Sequence, residues 1–334
     1  MERLVGTEGS TLNSYEEIRD WRQTYIKDVS TDHDKLNSFH DEVITATVKC
    51  ALDYVQRERG NPPAPFAFFL MGSAGRFEQS VFSDQDHGII FAGSQGFEDY
   101  FLTLGLEITV GLEVVGYQRC DGKVMASNPL WCQSLSNWNQ QVNDWLTEAN
   151  WTSLRHFSTF FDSRVLIGED SFLEEIKREA LRIIHARPEL FIRLVENVDF
   201  IKKGVGVFGQ LLPGAHGEQS GKLHVKQTAF FPYVNAMRLL AFKEGILAPS
   251  TLTRFKEIKA DYPSMHRFED YFMKLLDFRL RFQQDVVSYD EAHLIAMAQL
   301  TKEDKKELKL LMKKGYELFS EIKKVIDNEC SAWS

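Results

Sequence analysis

Residues 72 to 86 read Gly-Ser-Ala-Gly-Arg-Phe-Glu-Gln-Ser-Val-Phe-Ser-Asp-Gln-Asp, between an apolar run from Phe66 to Met71 and another from Ile89 to Phe91. Two apolar runs joined this way read as a strand, a turn and a returning strand. A strand that feeds Gly72-Ser73 exposes backbone N–H groups where a phosphate can sit. Asp84 and Asp86, at i and i+2 on a strand, project from one face. Two hard carboxylates on one face suit Mg²⁺, which takes oxygen ligands and shares them with substrate phosphates. Arg76 adds a planar guanidinium fork, better matched to a triphosphate than a lysine would be. A phosphate cradle, a fixed cation and a divalent-metal pair are the components of phosphoryl or nucleotidyl transfer.

Each part has a plainer reading. Gly72-Ser73 alone would be a tight turn and the aspartates a solvated hairpin. It is their spacing, the strand context and Arg76 together that favour chemistry. Arg76 has an alternative as the ion-pair partner of Glu78 or a nearby aspartate; in the functional reading Glu78 orients it. Ser83 serves either as a turn residue or as a hydrogen-bond partner of a metal-binding carboxylate.

The segment resembles the nucleotidyltransferase superfamily that includes DNA polymerase β, whose pattern is an apolar strand, Gly-Ser and then Asp-x-Asp. Within it the chain is most similar to the PII-uridylyltransferase group, and among these to nucleotidyltransferases found beside CBS and cyclic-nucleotide-binding domains. The residues that carry this are Gly72, Ser73, Gly75, Arg76, Glu78, Asp84, Gln85 and Asp86. A second block runs through Gly116-Tyr117, Cys120-Asp121-Gly122, Val124 to Pro129, Trp131 and Trp138. A third is Phe161 to Arg164 with Gly168, and a fourth is Lys226 with Ala236 to Ala241 and Gly245.

The resemblance implies transfer of a nucleoside monophosphate from UTP or ATP to a hydroxyl on a protein or small molecule. It implies Mg²⁺ or Mn²⁺ on Asp84 and Asp86, and phosphate contacts from Gly72, Ser73 and Arg76. Lys226 and Arg238 would line the nucleotide or acceptor face, although relatives commonly carry an acid where this chain has His224. The superfamily also supplies a third carboxylate from a later strand. Here Gly122 to Ala126 holds no acid. Asp121 at its entrance is the candidate, ahead of Glu113, with a simple Asp-Gly turn as the other reading. A chain without the third acid could instead be a nucleotide-binding sensor or a regulatory interaction protein.

At 334 residues the chain has room for about two domains and a sizeable core. The expected class is α+β, in three parts. Residues 1–60 form an N-terminal helical region, opened by the capping box Ser14 to Glu17 and stopped by Gly60 to Pro65. Residues 61–165 form a small mixed-sheet nucleotidyltransferase domain, with a helix near Phe97 to Gly111. Residues 166–334 form a helical bundle for substrate binding, and a cleft between the last two is the expected site. The stretch from Trp131 to Trp151 reads as helical, and so does most of the chain after Asp162. Thr31 to Lys35 reads as a polar break. Ser288 with Glu291 and Thr301 with Asp304 read as caps, and Leu308, Leu311, Leu318, Ile322 and Val325 as a buried stripe.

Net charge is −9, which disfavours bulk nucleic acid as a partner. Cys50, Cys120, Cys132 and Cys330 show neither zinc nor disulfide spacing, so reduced thiols in a cytoplasmic protein are expected. Neither a signal peptide nor a membrane span is read from the sequence. Gly204-Val-Gly-Val-Phe-Gly209 matches a dinucleotide fingerprint in letters only, because the mixed, charged Asp199 to Lys203 precedes it rather than a strand. His216 and His224 lack further ligands for a metal site.

Overall fold

The structure is a computed structural model that describes residues 12–332 except 94–95, 200–201, 216–219, 259–261, 284–285 and 287. The chain divides into two compact units, one formed by Met1–Val142 with Thr159–Lys177, the other by Asn143–Ser158 with Arg178–Ser334.

The first unit opens with helices α1 (Tyr15–Val29) and α2 (His33–Arg59). Ser14 Oγ accepts the Glu17 N–H, while Glu17 Oε2 accepts from Asn13 N–H rather than from Ser14, so the capping box closes one residue early. The polar stretch at Thr31 to Lys35 holds the cap of α2: Asp32 accepts the Lys35 N–H, and the helix is under way at His33. Next come β1 (Phe66–Leu70), a helical turn α3 (Gly72–Gly75), β2 (Asp84–Gln85), β3 (His87–Phe91), α4 (Glu98–Val115) and β4 (Gln118–Arg119). Along the chain there follow β5 (Cys132–Ser134), α5 (Leu135–Glu148), α6 (Trp151–Phe161), β6 (Arg164–Gly168) and α7 (Asp170–Ala186); of these, the end of α5, most of α6 and the second half of α7 belong to the second unit. Helices α1, α2 and α4 pack on one another.

The central sheet has the order β5-β3-β1-β6. Strand β1 is antiparallel to both β3 and β6, and β3 is parallel to β5. Ala67, Phe68, Phe69 and Leu70 are all buried, which is why β1 shows no polar alternation: both faces are covered. Phe69, Trp138 and Phe160 pack together on one face, with the Trp138 indole N–H donated to the Ile89 carbonyl at 2.9 Å. Two strands depart from the helical reading of their segments. Cys132–Ser134 pairs with β3, and Arg164–Gly168 pairs with β1. Each is too short for a stable helix, and each finds an unpaired strand edge to complete.

The second unit carries α8 (Glu189–Val198), β7 (Lys222–His224), a π-helical turn at Lys226–Phe230, and α9 (Phe231–Glu244). It continues with α10 (Thr251–Glu257), α11 (Arg267–Arg281), β8 (Leu294–Ala296) and α12 (Lys302–Ala332). Helix α9 is apolar almost all round and is packed by α8, α10 and α12. On α12, Leu308, Leu311, Leu318 and Ile322 are buried as the stripe requires. Ile326, not Val325, takes the next position, since i+4 keeps the stripe on its face. Thr301 and Asp304 cap that helix reciprocally. Mixed sheet and helices together make an α+β fold.

Gly204 to Gly209 forms a tight loop, not a strand-to-helix turn. Gly206 N–H donates to the Gln210 carbonyl at 2.8 Å and Leu212 N–H to the Gly204 carbonyl at 2.9 Å, leaving Val207 and Phe208 exposed at the tip. No helix N-terminus is offered to a pyrophosphate here. Calorimetric titration with NAD(H) is expected to show no saturable binding; binding that disappears in Gly206→Ala would overturn this reading.

Candidate active site

Strand pairing brings the Gly-Ser turn and the aspartates together. Leu70 lies opposite His87, and Met71 N–H donates to the Asp86 carbonyl at 2.8 Å. Asp84 and Asp86 do not share one strand. Asp84 lies in β2, which pairs in parallel with β4, and Asp86 sits between β2 and β3. The two carboxylates still come to one place because the residues alternating with them point inward and are held there. Gln85 Nε2 donates to the carbonyls of Thr109 (3.1 Å) and Tyr117 (2.9 Å), and Gln85 Oε1 meets His87 Nε2 at 3.1 Å. His87 Nδ1 accepts the Ala126 N–H at 3.2 Å. Gln85 and His87 are buried, while Asp84 and Asp86 are half-buried.

The pairing of β2 with β4 also delivers Cys120. One carboxylate oxygen each from Asp84 and Asp86 and the Cys120 sulfur lie within 4.8 Å of one another. Burial, and then the charge of Asp86, push the Cys120 thiol up to about 12, and the thiol hydrogen-bonds the Asp86 carboxylate. Asp121 is exposed on the turn that the Lys123 N–H closes on the Cys120 carbonyl, and it is not part of this cluster. Cys120 belongs to the Cys120-Asp121-Gly122 block that carries the resemblance, but nothing in its spacing marks it as a neighbour of the aspartate pair.

Two glycines of Gly-Ser-Ala-Gly are steric requirements. Gly72 has φ +57°, and a Cβ there would lie 2.2 Å from Asp86 Oδ2. A Cβ on Gly75 would lie 2.0 Å from the Asp162 carbonyl oxygen. Arg76 follows directly and is buried. Its Nε donates to Glu78 Oε2 at 2.7 Å and its Nη1 to Asp162 Oδ2 at 2.9 Å. Burial works against its charge, but the Glu78 and Asp162 carboxylates outweigh it and raise the guanidinium pKa above its usual value. Asp162, just before β6, is a partner that the sequence left unnamed.

Lys226 and Arg238 belong to the second unit. Lys226 opens the π turn, and Arg238 on α9 donates to Asn235 Oδ1 at 2.8 Å. His216 lies outside the described residues.

The buried imidazoles under this region set a pH dependence. His40 Nε2 donates to the Ser80 carbonyl and Nδ1 accepts from the Tyr117 hydroxyl; His87 is likewise satisfied as a neutral ring. Burial holds both near 3, well below the ordinary histidine value. A folded-state pKa depressed in this way contributes stability that is full above the unfolded value and is lost as pH falls towards the folded one. Unfolding free energy is therefore expected to decline from about pH 6 to about pH 3, by about 1.4 kcal/mol per pH unit for each imidazole. Denaturant titrations across that range test this, and His40→Gln should flatten the slope.

A mixed sheet that sets a Gly-Ser turn against an Asp-x-Asp pair is the arrangement of a nucleotidyltransferase. The sequence profile of the family described as Putative nucleotidyltransferase DUF294 matches residues 17–152. That of the Putative nucleotidyltransferase substrate binding domain matches residues 188–324. The chain carries both domains and belongs to this nucleotidyltransferase family. No curated protein matches it significantly. Among the described residues no helix is long and apolar enough to cross a membrane.

Proposed function

We propose that the protein transfers a nucleoside monophosphate from UTP or ATP to a hydroxyl on a protein or small molecule, releasing pyrophosphate. The observation that carries this reading is the meeting of Asp84, Asp86 and Cys120 donor atoms within 4.8 Å of one another, hard against Gly72. A divalent cation fits this donor set: the two carboxylate oxygens suit Mg²⁺ or Mn²⁺. When bound, such an ion neutralises phosphate charge and activates the attacking oxygen. Asp84 and Asp86 hold it, while Gly72 and Ser73 offer N–H and hydroxyl donors to the β- and γ-phosphates. Arg76, its charge already shared by two buried carboxylates, acts in this reading as the brace that ties the Gly-Ser turn to the segment before β6. Lys226 and Arg238 are the nucleotide or acceptor contacts offered by the second unit.

Asp121 is the candidate base for the attacking hydroxyl. Asp121→Asn is then expected to leave triphosphate binding intact while lowering turnover by about 10²- to 10⁴-fold. Unchanged turnover would remove it from the mechanism. The reaction itself is tested by incubating the purified protein with each labelled nucleoside triphosphate, Mg²⁺ or Mn²⁺ and cell extract. One nucleotide should label an acceptor. One observation favours a second reading, a non-catalytic nucleotide sensor: among the described residues the third donor of the cluster is a thiol, not a carboxylate. Metal-dependent triphosphate binding with no labelled acceptor from any nucleotide would decide for it.

A further inference from the structure

Cys120 is the one member of the donor cluster to which the transfer reading gives no task. Strands β2 and β4 pair with Asp84 opposite Gln118 and Gln85 opposite Arg119. The next residue of each is Asp86 and Cys120, and the thiol meets the Asp86 carboxylate in a hydrogen bond. The backbone holds the sulfur in place from both sides. Before it stands β4. After it, the turn from Cys120 closes where Lys123 N–H donates to the Cys120 carbonyl at 2.9 Å, and His87 N–H donates to the Val124 carbonyl at 3.1 Å. Gly122 lies beside the sulfur, where a Cβ would stand 3.5 Å from Cys120 Sγ. At the far side of the cluster Gly72 lies so close that a Cβ would come within 2.2 Å of Asp86 Oδ2.

The donor set has its own chemistry. An oxygen each from Asp84 and Asp86 and the Cys120 sulfur lie within 4.8 Å of one another, and among the described residues this is the one such group of three. Zinc takes Cys sulfur at about 2.3 Å and carboxylate oxygen at about 2.0–2.2 Å, which sets tetrahedral donors about 3.5 Å apart. Small side-chain rotations bring these three donors to that spacing. Three protein ligands with a fourth position open is the pattern of zinc sites that take a further ligand. Mg²⁺ asks for oxygen alone, whereas thiolate selects zinc and ions like it. As the sulfur–metal bond forms, the thiol proton leaves to solvent, and the ion takes its place between Cys120 and Asp86.

We propose that Cys120 joins Asp84 and Asp86 as the third ligand of a site for a divalent ion of the zinc class, with its fourth position open. Only the placing of a metal at the aspartates is shared with the transfer reading; none of its chemistry is needed.

Co²⁺ substitutes for zinc in such sites and reports a thiolate ligand by a charge-transfer band in the near ultraviolet, which carboxylates alone do not give. The full-length protein, kept reduced without added thiols and free of triphosphate, is titrated with Co²⁺ and then with Zn²⁺. A saturable charge-transfer band is expected, bleached by Zn²⁺ and kept in excess Mg²⁺. Cys120→Ser should abolish the band and weaken Zn²⁺ binding, measured by calorimetry, by at least about tenfold. Cys120→Ala, which offers no donor at all, should do the same. Asp84→Asn should also weaken Zn²⁺ binding by at least about tenfold, and Cys50→Ser should change neither the band nor the affinity. Thermal melts identify the variants that are folded. No band in the wild type overturns the proposal. So does a band that survives in folded Cys120→Ser or Cys120→Ala, a band lost to excess Mg²⁺, or Zn²⁺ affinity equal to the wild type in both Cys120 variants. Failure to label any acceptor bears on the transfer reading alone, because the band is read without turnover.

Discussion

Asp84→Asn and Asp86→Asn are each expected to remove metal-dependent triphosphate binding and to lower turnover by at least about a hundredfold. Asparagine keeps the shape and one oxygen but gives up the charge that holds a divalent ion. The backbone has little reason to move, because Gln85 and His87 on either side of Asp86 are pinned by their own hydrogen bonds. Asp86 should be the more sensitive. Its carboxylate lies against Gly72 and hydrogen-bonds Cys120, so it stands between the phosphate turn and the third donor. Calorimetry with ATP or UTP, with and without Mg²⁺ or Mn²⁺, measures the effect. Unchanged metal-dependent affinity in both variants would overturn the metal assignment.

Arg76→Met is expected to lower the unfolding free energy by about 3–5 kcal/mol, the usual result of removing one partner from a buried ion pair. Glu78 and Asp162 would be left as buried carboxylates without their cation, and Glu78 Oε1 already lacks a hydrogen-bond partner. Arg76→Lys should recover only part of the loss, since an ammonium cannot span both acids in the way a planar fork does. Equilibrium denaturation gives the stability, and triphosphate titration of the folded variant gives the other half of the answer. Stability kept with affinity lost would return Arg76 to the phosphate.

The parts of the site that depend on near neighbours were legible in the sequence. The strand before Gly72, the Asp-x-Asp pair and the capping residues Ser14 and Thr301 all act within a few positions of themselves. What stayed hidden was joined across long separations. Asp162 meets Arg76 from 86 positions away, a pairing that no local pattern announces. Cys120 reaches the aspartates through a parallel pairing only two residues long, and in the sequence nothing but the acid beside it carries a recognisable ligand signal. Strand β6 falls in a segment that reads as helical because a short apolar run such as Val165 to Ile167 looks alike in either state until a partner edge exists. His224 and His293 come together only through the pairing of β7 with β8, which no local pattern announces.

The place of β6 has a practical consequence for anyone dividing this chain. The family match to the nucleotidyltransferase domain ends at residue 152, yet the strand that flanks β1 begins at Arg164, and the Asp162 that holds Arg76 lies beyond the match as well. A fragment cut at that boundary would leave β1 with a bare edge, open to pairing with another copy, and would strand a buried guanidinium. The domain is thus discontinuous as a heritable part. Recombination or gene fusion that treats residues 17–152 as a portable cassette would carry off the aspartates without the strand that keeps their sheet closed.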